Sequence, residues 1–351
     1  MLLSLPVLFF AYLITLFWSA DKQQFLQVIK NKIPFVLVPL SLISLQLLKP
    51  GQLQFLMNWF LLALLGACIW TFYQISLQDF DILMRLSVGQ SVPTLVHHIA
   101  FSVLLVFGIL FCLRLYEMTE NKTAKGIYLA AGIFFFLVNH LMIARSGLVL
   151  TYLSLVIYFI YKKIEQKQYV KLALSIFLLV VIALINVYKN PYLKNKVDYT
   201  MTGKKAFETQ DDSLNQYSDT RRIISLQLGY KIFQQHKIVG VGIGDVKQEM
   251  QQLYQQKYPK FEEEVQAKIH SQYLFILAAC GSILGILCFI SFVYMAYYFL
   301  NENKIVWFIL MLNILLVCLW EAFLENQLGT SMFLIVFILG YLGNNKQIKS
   351  V

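Results

Sequence analysis

Ser271–Leu300 reads SQYLFILAACGSILGILCFISFVYMAYYFL, a run without a single Asp, Glu, Lys or Arg. A helix crosses a bilayer with about 20 largely apolar residues, in a range of about 17–25. This stretch meets that length with residues to spare. Working outward with the same ruler gives about ten candidate spans. They are Leu2–Trp18, Ile33–Leu48, Leu53–Leu77, Val92–Leu115, Ile127–His140, Leu148–Tyr161, Val170–Val187, Ser271–Leu300, Ile305–Trp320 and Phe323–Leu342. The fifth and sixth are short and parted by a few residues around Arg145, which reads as a tight helical hairpin. Met1–Ala20 lacks the basic start and the A-x-A site of a signal peptide, so it is read as a helix.

Composition carries the same message. Of 351 residues 58% are hydrophobic, 15% aromatic and 14% charged, and mean hydropathy is +0.64. Soluble domains carry about 25% charged residues, so a soluble enzyme, a disordered chain and a disulfide scaffold are all excluded. The net charge of +10 fits Lys and Arg held on the cytoplasmic side of a membrane, where anionic lipid favours them. Nucleic acid is not the partner. Cys68, Cys112, Cys280, Cys288 and Cys318 all lie in apolar runs without ligand or CxxC spacing, as small core- or lipid-facing residues do.

The pattern changes between Val187 and His270. About 80 residues there hold most of the charge, too many for a plain connector. Ile223–Phe233 and Val246–Tyr254 show helical apolar spacing within it. The expected organisation is therefore N-terminal transmembrane helices over 1–187, a partly helical loop domain over 188–269, and C-terminal transmembrane helices over 270–351. Lys162, Lys163, Lys167 and Lys171, with Arg114, Lys122 and Lys125 and the C-terminal Lys346 and Lys349, place the cytoplasm on one side. The long loop, the Asp79–Asp81 loop and the Glu321–Glu325 turn then face out. Lys22, Lys30 and Lys32 dissent, since they too would lie outside.

Several side chains have the chemistry of a site. Arg145, in Ile143-Ala144-Arg145-Ser146-Gly147, is flanked by apolar helix; it either snorkels to lipid phosphate or offers a fork of donors to a phosphate ligand. Arg221 and Arg222 follow Asp219 and Thr220, either of which can cap the next helix. Two cations in a first turn oppose the helix dipole unless an anion shares the site. His270 opens the eighth span, where an imidazole can accept a proton from a hydroxyl or simply make an interfacial hydrogen bond. His97 and His98 fall inside the fourth span without a metal-ligand partner, as packing or cavity residues. Gly240-Val241-Gly242-Ile243-Gly244-Asp245 has no preceding strand, so it is a turn and not a dinucleotide fingerprint. Glu321, Glu325 and Gln327 surround the last outer turn, either as plain surface acids or as groups that order the basic site.

The order of these pieces resembles the O-antigen ligase family, part of a wider group with the O-antigen polymerases. Ala144-Arg145-Ser146-Gly147 is similar to the family's S-R-T/S-G segment, and Arg222-Ile223-Ile224-Ser225 to its R-L-x-S/x-W segment. Gly240–Asp245 is similar to its G-V-G-x-G-D/N turn, and His270-Ser271-Gln272-Tyr273-Leu274 to its H-N-x-Y/F-L segment. Glu321–Gly329 resembles E-x-x-L-E-x-Q-x-G. The likeness covers roughly the C-terminal two-thirds. Ala144, Leu226 and Ser271 depart from the pattern, and the family commonly has twelve spans, so the missing pair is expected at the N-terminal side.

The resemblance implies an all-α, polytopic, glycosyltransferase-C-like bundle in a bacterial inner membrane, with its large loop in the periplasm. It implies an inverting, metal-independent transfer of a glycan from undecaprenyl diphosphate to a lipid A–core hydroxyl or another glycan acceptor, without a cofactor. Arg145 and Arg222, with Arg221 beside them, would hold the diphosphate. His270 would be the base or would orient the acceptor, and Glu321 and Glu325 would line the substrate site. A polymerase acting on the same carrier is the near alternative. A transporter is the alternative of another class, for which inverted repeats and discontinuous helices are expected; the sequence shows neither.

Overall fold

The computed structural model describes residues 1–44, 48–77, 92–142, 144–189, 191–209, 217–259, 261 and 268–343. Asp79, Asp81, Ile143, Lys346 and Lys349 lie outside them. The described chain is helical, with no strand. In order come α1 (Val7–Ile14), α2 (Lys22–Lys30), α3 (Pro34–Ser44), α4 (Pro50–Ser76), α5 (His98–Met118), α6 (Lys122–Leu141) and α7 (Arg145–Glu165). Then follow α8 (Tyr169–Lys189), α9 (Pro191–Thr209), α10 (Ser218–Gln235), α11 (Val246–Lys257), α12 (Gln272–Asn301), α13 (Ile305–Val317) and α14 (Gln327–Leu342).

Six of these stretches are long and apolar enough to cross a membrane: Lys22–Ile43, Pro50–Ser76, His98–Met118, Lys122–Leu141, Arg145–Glu165 and Gln272–Asn301. Leu2–Phe17, Tyr169–Ile182, Ile305–Val317 and Gln327–Leu342 are shorter apolar helices. The chain is thus a helical, multi-pass membrane protein. Two details differ from the sequence reading. The second span starts at Lys22, because Asp21 caps α2 by accepting from the Gln24 amide at 2.8 Å. His97 is the N-cap of α5 and His98 its first residue, so the pair, with ring centroids 4.4 Å apart and planes tilted by 43°, marks a helix end and not a helix interior.

The chain forms two compact units. Residues 47–201 and 303–313, with 342–351, make one of them. In it α5 is buried along most of its length against α4, α6 and α7. Small and polar residues set the spacing there, as is common between membrane helices. A Cβ on Gly147 would meet the Ser102 hydroxyl at 2.5 Å, and Asn139 donates to Thr151 Oγ1 at 2.7 Å. Asn139 thereby ties α6 to α7, as the expected hairpin requires.

The other unit comprises residues 1–46, 202–302 and 314–341. Its centre is α12, against which α1, α10 and α11 pack. That helix is broken at Gly281 (φ 72°, ψ −174°). The break frees carbonyls, and the glycine turn supplies their donors: Val241 N–H to Ala278 O at 2.9 Å and Gly242 N–H to Ala279 O at 2.8 Å. Irregular backbone inside an apolar bundle persists where protein satisfies it. The sequence reading counted discontinuous helices as absent; α12 is one, and its gap is filled by the chain's own turn.

Candidate functional site

The site grows from one face of α10. Arg222, Ser225 and Gly229 are spaced i, i+3, i+7 and so line up along the helix. Ser225 is fully buried; its hydroxyl accepts from the His270 amide at 2.9 Å and donates to the Lys268 carbonyl at 2.7 Å. A Cβ on Gly229 would stand 3.0 Å from Ile269 Cγ2, so the glycine lets residues 268–270 lie close across the helix. Ser271 then caps α12 by accepting from the Leu274 amide at 3.3 Å. His270 is held at that junction by its backbone, immediately before the cap.

The acidic turn meets it from the far end of the chain. After α13 the backbone folds back, and the Gln272 amide donates to Cys318 O at 2.9 Å and to Glu321 O at 3.2 Å. This brings the Glu321 carboxylate between two cationic or titratable groups. Glu321 Oε1 accepts from Arg222 Nη2 at 2.8 Å, and Oε2 lies 3.5 Å from His270 Nδ1. Arg222 Nη1 also stands 4.0 Å from Asp219. The side chains of Arg222, His270 and Glu321 are 28%, 23% and 18% exposed, half-buried enough to be ordered and open enough to meet a ligand. The geometry is that of a carboxylate orienting an imidazole and a guanidinium together. Among the described residues no group of three or more His, Cys, Asp or Glu converges as metal ligands would.

The remaining expected residues fall elsewhere. Asp219 and Thr220 do not cap α10, whose N-cap position is taken by Tyr217 with no side-chain capping hydrogen bond. Thr220 is buried and donates to Gly203 O at 3.1 Å; with the helix starting at Ser218, Arg221 ends the first turn and Arg222 follows it. Arg221 stands by the fully buried Tyr254 phenol, which burial and Tyr258 push up while the Arg221 charge pulls it down. Arg145 belongs to the other unit. It is the first residue of α7, exposed, and donates to Thr200 Oγ1 at 3.0 Å. Glu325 points into a separate buried cluster, accepting from Tyr12 Oη and Gln272 Nε2, each at 2.6 Å, and pairing with Lys32 at 3.2 Å.

The glycine turn is neither a flexible loop nor a ligand cradle. Gly240 (φ 70°) and Gly242 (φ 93°) carry the left-handed backbone it needs. The Asp245 carboxylate accepts from the Ala20 and Asp21 amides at 2.7 and 2.8 Å. The turn therefore clamps the start of α2 as well as the break in α12. Ser225, Lys32, Tyr12 and Gln272 escaped the sequence reading. Ser225 and Gln272 left a signal as members of the Arg222–Ser225 and His270–Leu274 segments, and Lys32 as a charge at odds with the orientation.

Fold and site together define a multi-pass membrane protein with an Arg–Glu–His cluster where α10 meets the start of α12. A family model described as O-antigen ligase matches residues 127–290, from α6 to within α12, and supports the resemblance to that family. It takes in Arg145, Arg221, Arg222, the glycine turn and His270, and stops short of Glu321 and Glu325. Curated proteins yield no match to the chain.

Proposed function

We propose that the protein transfers a glycan from undecaprenyl diphosphate to a hydroxyl of the lipid A–core, at the periplasmic face of a bacterial inner membrane, through ten membrane helices. The convergence of Arg222 and His270 on Glu321 carries this reading. A diphosphate-linked glycan already has a good leaving group. An enzyme then has to hold the diphosphate, align the acceptor and remove one proton.

In this mechanism the acceptor oxygen attacks the anomeric carbon from the face opposite the diphosphate. The new C–O bond forms as the bond to the diphosphate oxygen breaks, which inverts the centre. The acceptor proton passes to His270 Nε2, because Nδ1 faces Glu321. The Arg222 guanidinium keeps N–H groups beyond the one given to Glu321, and they take the charge that develops on the diphosphate. Arg221 adds positive potential one residue away. Arg145 is assigned to the donor by the family resemblance and by its exposure at the start of α7. The loop domain over 188–269 is assigned to the periplasm in this reading.

The test is transfer in vitro by purified protein, from a defined undecaprenyl-diphosphate glycan to lipid A–core, with EDTA present. Acceptor-linked product supports the ligase. Longer carrier-linked glycan without transfer identifies the polymerase. Carrier movement across vesicles without any new glycosidic bond identifies a transporter.

A further inference from the structure

Lys32 is completely buried, yet it carries a charge into an apolar unit. Its Nζ donates to the Leu324 carbonyl and lies 3.2 Å from Glu325 Oε2. The other Glu325 oxygen accepts from Tyr12 Oη and Gln272 Nε2, each at 2.6 Å. Gln272 Oε1 in turn accepts from the Leu324 amide at 2.9 Å, and Thr330 Oγ1 donates to the Leu324 carbonyl at 2.8 Å. Leu324 thus has both backbone groups held, one by Gln272 and the other by Lys32 and Thr330.

A buried ion pair contributes little net stability compared with apolar residues of the same volume, while removal of one partner leaves a costly unpaired charge. What such a pair supplies is a fixed geometry. Here it fixes the short 3-10 helix Phe323–Glu325, and Glu321 enters that turn. The same Gln272 whose side chain reaches Glu325 gives its backbone N–H to the Glu321 carbonyl at 3.2 Å. Gln272 follows His270 by two positions. The cluster therefore ties the carboxylate and the imidazole of the site to one anchor, and Lys32 is the cation that balances it. Lys32 and Glu325 both lie outside the segment that matches the O-antigen ligase model.

We propose that Lys32 is a positioning residue: its buried pair with Glu325 holds the acidic turn so that Glu321 meets Arg222 and His270. This rests on reading those three residues as the transfer site. Misplacing a catalytic group by about 1 Å can cost about a hundredfold in rate, so the loss expected on breaking the pair is in turnover and not in donor affinity.

The experiment uses the full chain in nanodiscs with 15N-labelled histidine, alongside transfer kinetics. The signal of His270 is identified from a His270→Gln sample. Lys32→Met should shift the His270 imidazole resonances and leave those of His97, His98, His140 and His236 in place. Its kcat should fall about tenfold to a hundredfold with donor KM within about threefold, and Lys32→Arg should recover most of both. Lys32→Met/Glu325→Leu leaves no unpaired charge and keeps the fold if the single variant fails to insert; it should still show the displaced His270 signal and the low kcat. Wild-type His270 resonances and kcat in the double variant would overturn the proposal. A wild-type protein without transfer activity would remove the reading of the site, while the His270 resonances would still report whether Lys32 positions it.

Discussion

Ser225→Ala isolates the hinge that holds His270. The hydroxyl is fully buried and makes two bonds, accepting from His270 N–H at 2.9 Å and donating to Lys268 O at 2.7 Å. Lys268 is exposed, so water can take over its carbonyl, and that loss is the ordinary net value of about 1 kcal/mol. The His270 amide is part-buried, and an unsatisfied donor costs about 1–3 kcal/mol. The sum is about 2–4 kcal/mol against the closed state of residues 268–270, which corresponds to about a 30- to 800-fold rise in opening. Hydrogen–deuterium exchange read by mass spectrometry on peptides spanning 266–275 measures it directly. The His270 amide should exchange faster by that factor, while amides deep in α10 and α12 keep their protection. Turnover should fall with it, because the imidazole loses its fixed relation to Glu321. Unchanged exchange at His270 with an otherwise folded protein would refute the hinge.

Three further outcomes follow from the same geometry. Arg222→Lys keeps the charge but loses the planar fork, so transfer should be partly impaired, whereas Arg222→Ala and Arg145→Ala should abolish it and Arg221→Ala should be milder; full transfer in Arg145→Ala would leave that residue as a lipid-facing arginine. Gly242→Ala places a side chain at φ 93°, with its Cβ 3.1 Å from Ser19 Cα. Left-handed strain of about 1–3 kcal/mol should lower the melting temperature in detergent, and an unchanged value would contradict the clamp. Cysteines introduced at the exposed Lys237 and Gln256 in a Cys-free background should react with an impermeant maleimide in outer-membrane-permeabilised cells. Labelling only after lysis would invert the topology.

The membrane class was legible because composition alone forces it: a chain this apolar has nowhere else to bury its surface. Arg222 and His270 stood out in the sequence because each sits in a short segment with a family counterpart. Their meeting through Glu321 did not, since the pairing joins residues far apart in the chain and no local pattern encodes it. Lys32 read as a loop charge at odds with the orientation, because burial beside Glu325 depends on how distant helices pack. Its pairing removes it from the loop charges that bear on topology. The break at Gly281 was hidden for a related reason. A glycine within an apolar run is tolerated by a straight helix, and only the approach of the 236–242 backbone shows why it bends. The glycine turn itself had the right residues for backbone freedom, and tertiary packing turned that freedom into a clamp.

The most direct test of the central claim is the turnover of His270→Ala, with saturating donor and acceptor and with EDTA present, beside its affinity for undecaprenyl diphosphate. General-base assistance is worth about 10²–10⁴-fold. The account predicts a loss of that size, with donor affinity close to wild type because Arg222 remains. Wild-type turnover in His270→Ala, or a loss of donor affinity in step with rate that His270→Gln restores, would contradict it and return the search for the base to Glu321.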